Sequence, residues 1–480
     1  MTAARRTVTL VAGIAVLGAP TVLALFSGGY FARPRVIAAI VVWLLVLALA
    51  AIGPAPLPRS TPGRLVLAGL AGLAVWSAVS ILWAPQAGPA VQNVQRLVLY
   101  TGALVLTVGA VRDTRVRRAT EPALAAGAAI VIFYGLAGRI LPGVVELESS
   151  TSAGGRLEQP LTYWNAEGLL AAVGLILCAR LAGDRSRPPV MRLAAAATAP
   201  ALAAGVYLSY SRGALAVAVL GLLVLAAAAP SRAQVRAAAA VLGTGAVVAA
   251  GSELLPGVSR VTGEGRARDG LLLLALLLAA GAVSAWLVAR TGAEPVSPPR
   301  WYARLGPVAW IAAAAVAVGL VVGGVAERPS ERELSAGASA SRLTSVSSNR
   351  YEYWRVALGA FADHPLGGTG AGSFRVVWLQ ERPIRESVRD THSLEFEVAA
   401  ELGLVGLVLL GLMAGGAIVA ARRALTSHRA LAAGPAAALV AWGLHASIDW
   451  DWQMPAVTLP AIALAGLLMA LIEAEPAAPR

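Results

Sequence analysis

The chain has 480 residues, of which 58% are hydrophobic and only 14% are charged, whereas about 25% of the residues in ordinary soluble domains are charged. A soluble core cannot absorb so much apolar sequence, so the composition excludes a soluble globular protein and indicates an integral membrane protein. The formal net charge of +13 does not indicate a nucleic-acid partner, because arginines confined to cytoplasmic loops produce the same balance.

Long apolar runs occur along the whole chain. A helix that crosses a bilayer needs about 20 mostly apolar residues, and it satisfies the hydrogen bonds of its own backbone. We therefore predict an all-α fold, a polytopic membrane helix bundle with about fourteen spans. The predicted spans are 7–27, 36–53, 65–83, 96–111, 119–140, 164–182, 191–209, 213–229, 237–252, 270–290, 305–326, 396–421, 430–448 and 455–473.

The distribution of arginine predicts how the bundle is oriented. All 39 basic residues are arginines, and short loops such as 112–118, 184–192 and 421–429 are rich in them. Because cytoplasmic loops carry an excess of basic residues, we assign these loops to the cytoplasm. This assignment predicts a protein of the cytoplasmic (inner) membrane whose two termini lie in the cytoplasm.

The longest polar stretch, 327–395, is predicted to be one large extracytoplasmic loop. It separates eleven predicted spans in 1–326 from three in 396–480, and the whole chain forms one membrane domain. A polar loop of this length in a compact protein is usually functional.

An amphipathic helix is predicted at about 350–362 within this loop. Tyr351, Trp354, Leu358 and Phe361 recur at helical spacing, so one face of the helix is apolar. We expect this face to pack on the bundle or to lie at the bilayer interface. The pattern that begins at Asn349 resembles a capping box.

Three residues place charge or proton-transfer chemistry near the outer face. Arg212 lies between two apolar runs, where it either extends to the headgroups or binds an anion. Arg350 opens the loop helix and is either a solvated charge or part of an anion site with the helix amides. His392 precedes the next span and is either an ordinary loop histidine or a base that takes a proton from a hydroxyl.

Four further residues are candidates for a supporting role. Glu395 and Glu397 follow His392 closely, and His445 and Asp449 share one face at the outer end of a span. Hydrogen bonding that fixes the helix end is the alternative explanation for this last pair. No HExxH pattern or carboxylate cluster with metal-ligand spacing is present, so we expect no metal and no cofactor.

Several segments in order resemble the O-antigen ligase and O-antigen polymerase superfamily. NRYEYWRVALGAFADHPLGGTGAGSF at 349–374 and DTHSLEFEVAAELGLVGLVLLG at 390–411 are similar to the large-loop signature of that family. There, a helix with arginine and tryptophan precedes a glycine-rich turn and a His-Asn/Ser…E.G..G segment. TYWNAEGLLA at 162–171, SRGALA at 211–216 and HASIDWDWQMP at 445–455 support the resemblance.

The resemblance implies an inverting, metal-independent membrane glycosyltransferase with about 12 spans, so the number expected here is 12–14. Its donor would be an undecaprenyl-pyrophosphate-linked glycan, and its acceptor a hydroxyl of a glycan, lipid or protein. The resemblance also implies that Arg212 and Arg350 hold the pyrophosphate and that His392 activates the acceptor. Ser393 stands where the family often has asparagine.

Other functions remain open at this stage. A ligase and a repeat-unit polymerase share these motifs, so the sequence does not separate them. The helix count alone also suits a transporter or flippase of lipid-linked oligosaccharide, which would typically bind its substrate near the midplane. In a transferase of the peptidoglycan-polymerising kind, an aspartate such as Asp363 or Asp390 would matter more than His392.

Overall fold

The computed structural model describes residues 3–261, 265–290 and 349–474, and within these ranges the regular structure is entirely helical. Short 3-10 turns occupy Ser27–Gly29, Thr151–Ala153 and Asp451–Gln453. The α-helices of the described residues, numbered in chain order, are α1 Ala3–Ala24, α2 Ala32–Ile52, α3 Thr61–Ser80, α4 Ala87–Ala110, α5 Thr114–Ile140, α6 Trp164–Gly183, α7 Pro189–Leu208, α8 Arg212–Ala228, α9 Arg232–Glu253, α10 Pro256–Ser259, α11 Arg266–Ala289, α12 Arg350–Asp363, α13 Phe374–Glu381, α14 Leu394–Ser427, α15 Arg429–Ala446 and α16 Pro455–Glu473.

The lengths and compositions of these helices confirm a polytopic membrane helix bundle. Ten of the described helices are long and apolar enough to cross a membrane: α1, α2, α3, α5, α6, α7, α9, α11, α14 and α16. α8 is apolar but shorter, with 17 residues. Each predicted span on described residues coincides with one of the helices, whereas the predicted span 305–326 and the loop start 327–348 lie outside the described residues.

Helix α6 lies at the centre of the bundle. All of its residues from Asn165 to Gly183 are buried, as expected for a helix that is apolar on every side. Small residues allow close packing, because a Cβ on Gly174 would lie 2.8 Å from the Cβ of Ala128 on α5. In contrast, α2 exposes a stripe of large aliphatic side chains that suits contact with lipid: Ile37, Ile40, Val41, Leu44 and Leu47.

Helix α14 is longer than the predicted span 396–421 and is interrupted at Gly403. Gly403 has φ 63°, a left-handed conformation that favours glycine. The chain between α12 and α13 fills the interruption, since Leu404 N donates to Pro365 O at 2.8 Å and Gly370 N donates to Glu401 O at 2.8 Å. The glycine-rich turn 364–373 and the part of α14 around Gly403 therefore pack against each other. We call this contact the joint.

The carboxylate of Glu401 closes this joint. It accepts hydrogen bonds from Gly372 N at 2.6 Å and from Phe374 N at 3.0 Å, at the start of α13. These backbone amides would otherwise be buried without an acceptor. Glu401 thus has a structural role in holding the turn 364–373 against α14.

The capping box predicted for α12 is wrong. Asn349 has helical dihedral angles, φ −74° and ψ −4°, and its side chain makes no capping hydrogen bond. A capping residue needs an extended backbone. The Asn349 amide instead donates to Glu386 Oε2 at 2.7 Å, and Glu352 forms an ion pair with Arg355 at 2.8 Å.

Candidate active site

The start of α12, the start of α14 and the turn between α15 and α16 meet at one end of the bundle. The carboxylate of Asp449 follows α15, is only 1% exposed and links this turn to α12. Its Oδ2 lies 2.5 Å from Arg350 Nη2, so the structure brings together two residues singled out from the sequence.

Asp449 accepts three further hydrogen bonds. Tyr163 OH donates to Oδ1 at 2.8 Å, Asn165 Nδ2 donates to Oδ2 at 2.7 Å, and Trp450 N donates to Oδ1 at 2.8 Å. A carboxylate is buried at low cost only when it is paired and hydrogen-bonded in this way. Burial alone would raise the pKa of Asp449, but the positive charge of Arg350 above all, together with the hydrogen bond from Tyr163, holds it below its usual value.

The backbone around His392 is held in an unusual conformation. His392 has φ 56°, which is uncommon for a residue with a side chain. Its two neighbours bond to each other across it, since Thr391 Oγ1 donates to Ser393 O at 2.7 Å and Ser393 N donates to Thr391 Oγ1 at 3.2 Å. Strain of this kind is common at functional sites.

One contact of the imidazole defines which ring nitrogen is basic. His392 Nδ1 lies 3.2 Å from Asp390 O. Because a backbone carbonyl only accepts, this contact assigns the proton of the neutral ring to Nδ1. Nε2 then carries the lone pair that can accept a proton.

Burial is the main reason that this ring stays neutral. Burial and the positive charge of Arg350 lower the pKa of His392, and the carboxylates of Asp449 and Asp390 oppose them without reversing the direction. At neutral pH the ring is therefore deprotonated, as a general base must be before it reacts.

Arg212 opens α8 at the same end of the bundle. Ser211 caps the helix by accepting a hydrogen bond from Ala214 N at 3.2 Å, as a serine at this position usually does. A Cβ on Gly213 would lie 3.0 Å from His445 Nε2. The arginine turn thus packs against the end of α15, one helical turn before Asp449.

His445 and the two glutamates bond to residues in and beside the turn between α15 and α16. His445 Nδ1 lies 3.1 Å from Asp451 Oδ2. Glu395 is exposed and accepts from Ser447 Oγ at 2.8 Å. Glu397 is buried and accepts from Gln453 Nε2 at 2.9 Å. In the described part of the chain, neither glutamate forms a hydrogen bond with His392.

Four polar residues at this end of the bundle were not predicted from the sequence: Tyr163, Asn165, Asp451 and Gln453. Tyr163 and Asn165 begin the central helix, where polar side chains directly before an apolar run are a usable signal. Asp451 and Gln453 lie in the short turn between two spans, and Gln453 Nε2 also donates to Asp390 Oδ1 at 2.8 Å. Intramembrane or near-membrane polar residues that face the bundle interior are frequently functional.

One family model matches part of the chain. Residues 266–411 match the family model described as O-antigen ligase. The matched segment includes Arg350 and His392 and confirms the family resemblance in this region, whereas Arg212 and Asp449 lie outside it. No match was found among curated proteins.

Proposed function

We propose that this O-antigen ligase/polymerase-like membrane enzyme transfers a glycan from an undecaprenyl-pyrophosphate donor to an acceptor hydroxyl on the outer side of the cytoplasmic membrane. The observation that carries the proposal is the pairing of Arg350 with buried Asp449 at the same end of the bundle as His392, whose Nδ1 contacts the Asp390 carbonyl. A cation for the leaving group and a base for the nucleophile are the two groups that such a transfer needs.

The reaction would proceed in one displacement. The acceptor oxygen forms a bond to the anomeric carbon of the donor sugar, and the bond from that carbon to the pyrophosphate oxygen breaks. The hydroxyl proton passes to Nε2 of His392, and the bonding electrons leave with the lipid pyrophosphate. Attack from the face opposite the leaving group inverts the anomeric centre.

Arg212 and Arg350 are proposed to bind the pyrophosphate. Two guanidinium groups can offset the negative charge that develops on the leaving group without a metal ion. Arg350 lies on α12 and Arg212 on α8, so the pyrophosphate would be held between the large loop and the bundle. Such a site would lie at the membrane surface, where a lipid-linked donor carries its headgroup.

Single substitutions test these roles. His392→Ala should lower kcat by about 10²–10⁴-fold, the usual contribution of a general base. Arg212→Ala and Arg350→Ala should lower kcat and also raise KM for the donor, because both guanidinium groups are proposed to bind the pyrophosphate and to offset the charge that develops on it. Transfer from an undecaprenyl-pyrophosphate-linked glycan would be measured in detergent with EDTA, after membrane insertion of each variant is verified. Full activity of His392→Ala would refute the base, and dependence on added metal would refute the metal-free mechanism.

A repeat-unit polymerase is the second candidate. It would use the same donor site and would differ only in accepting another lipid-linked repeat unit. Supplying such a unit as the sole acceptor separates the two, because a polymerase would produce a ladder of longer lipid-linked products and a ligase would produce none. A flippase would instead move the donor between leaflets of proteoliposomes without transfer.

A further inference from the structure

We propose that Tyr163, which directly precedes the central helix α6, and Asn165, in its first turn, are positioning residues: their hydrogen bonds to Asp449 set how strongly this carboxylate binds Arg350. The inference rests on the proposed role of Arg350 in binding the donor pyrophosphate. It assigns a role in donor binding to a part of the chain that precedes both the large loop and the region matched by the family model.

The geometry orders the two side chains as a relay. Asn165 Nδ2 donates to Tyr163 OH at 2.8 Å, and Tyr163 OH donates to Asp449 Oδ1 at 2.8 Å. Asn165 Nδ2 also donates to Asp449 Oδ2 at 2.7 Å. Because the phenol oxygen accepts from Asn165, its own hydrogen is directed at the carboxylate.

Both residues lie on a rigid support. Asn165 is 8% exposed and begins the part of α6 in which every residue is buried. The ring of Tyr163 packs against Trp450, with centroids 4.5 Å apart, and against Trp164, with centroids 5.0 Å apart. The two donors therefore reach Asp449 from the most enclosed element of the bundle.

The charge balance explains why such donors are useful. When Arg350 turns toward a pyrophosphate, Asp449 loses a cationic donor and would be left as a buried anion close to a second anion. The three neutral hydrogen-bond donors, Tyr163, Asn165 and Trp450 N, still bond to the carboxylate. They therefore lower the free-energy cost of separating Arg350 from Asp449. With fewer neutral hydrogen-bond donors, Asp449 binds Arg350 more strongly. Arg350 is then less available to the pyrophosphate of the glycan donor.

Binding of undecaprenyl pyrophosphate to the purified full-length protein tests the inference without knowledge of the glycan or the acceptor. Tyr163→Phe removes only the hydroxyl, and Asn165→Leu removes the amide at similar size. Each should weaken binding about tenfold, the effect of losing one hydrogen bond to a charged group. Tyr207→Phe is the matched control, because Tyr207 OH donates to Glu253 Oε2 at the same 2.8 Å, and it should bind like the wild type.

A double-mutant cycle separates positioning from general packing. In an Arg350→Ala background, Tyr163→Phe should have no further effect on Kd, since it acts through Arg350. Equal weakening in both backgrounds, or no weakening in either, would overturn the inference. If Arg350→Ala itself binds undecaprenyl pyrophosphate like the wild type, the proposed donor site fails instead, so the two failures are distinguishable.

Discussion

His392 combines two properties that a general base needs, a fixed orientation and a neutral ring. The hydrogen bonds between Thr391 and Ser393 hold its backbone at φ 56°, and the Asp390 carbonyl orients the ring. Ser393 also caps α14 by accepting a hydrogen bond from Phe396 N at 3.4 Å. A serine in place of the more frequent asparagine thus preserves a residue that can cap the helix.

The pH dependence of kcat/KM should change when the positive charge of Arg350 is removed. Burial in the first place, and with it the positive charge of Arg350, lowers the pKa of His392. The proposed base therefore stays deprotonated at pH values just below 6.5, and activity should fall only as the pH drops through the lowered pKa. In Arg350→Gln this positive charge is lost and Asp449 is no longer paired, so the pKa of His392 should rise. The acidic limb of kcat/KM for the donor should then move to higher pH.

Arg355→Gln is the matched control for this experiment. Arg355 lies on the same helix, but its side chain is 69% exposed and pairs with Glu352, so solvent screens its charge. The acidic limb of kcat/KM for Arg355→Gln should coincide with that of the wild type. An unchanged limb in Arg350→Gln, or a limb that moves to lower pH, would contradict the proposed electrostatic coupling.

At the scale of elements, the joint between the turn 364–373 and α14 fixes where the loop meets the membrane helices. Gly368 has φ 66°, and a Cβ there would overlap the backbone of Glu401. Gly368→Ala should therefore destabilise the joint by at least roughly 1–2 kcal/mol, the cost of the left-handed conformation alone. Hydrogen exchange of the amides of Thr369 and Gly370 should become about tenfold faster.

The control for the joint is Gly411→Ala. Gly411 lies on α14, the helix against which the turn packs, and a Cβ there would meet nothing within 4 Å. Alanine also favours a helix more than glycine does, so this variant should exchange at the wild-type rate. Exchange at the wild-type rate in Gly368→Ala would show that the joint does not depend on a close backbone approach.

The sequence predicts the positions of the described long helices well because apolar runs are local signals, although α4, α8 and α15 are not among the ten helices that are long and apolar enough to cross a membrane. Helix α4 begins at Ala87, nine residues before the predicted span 96–111, and the residues Asn93 and Arg96 of this part are polar but buried. The break at Gly403 was also missed, since it lies inside a continuous apolar run. Residue type and position identified Arg350 and His392 as candidates. The hydrogen bonds from Tyr163 and Asn165 to Asp449, in contrast, join residues that are 286 and 284 positions apart in the sequence. No local pattern reveals such contacts.

At the scale of the whole molecule, the two ends of the bundle carry different polar networks. The candidate active site occupies one end. The other end contains an ion pair between Arg112 and Glu473 at 3.2 Å and one between Arg187 and Glu121 at 2.8 Å. Glu473 also accepts from Ser60 N at 2.8 Å, so this carboxylate ties the end of α16 to the start of α3.

The excess of arginine in loops such as 421–429 predicts that this second end faces the cytoplasm. Cysteine labelling tests the orientation, because the single cysteine, Cys178, is buried and can be replaced by alanine to give a cysteine-free background. Arg355→Cys on α12 and Thr426→Cys near the end of α14 then place a thiol at exposed positions of opposite ends.

In sealed right-side-out vesicles, a membrane-impermeant maleimide should label Arg355→Cys at once and Thr426→Cys only after detergent is added. A base at His392 and the two arginines Arg212 and Arg350 on the outer face would suit a donor whose headgroup has already crossed the membrane. Labelling of Thr426→Cys alone in sealed vesicles would put the site in the cytoplasm. The proposed transfer on the outer side would then be untenable, although the geometry around Asp449 would be unchanged.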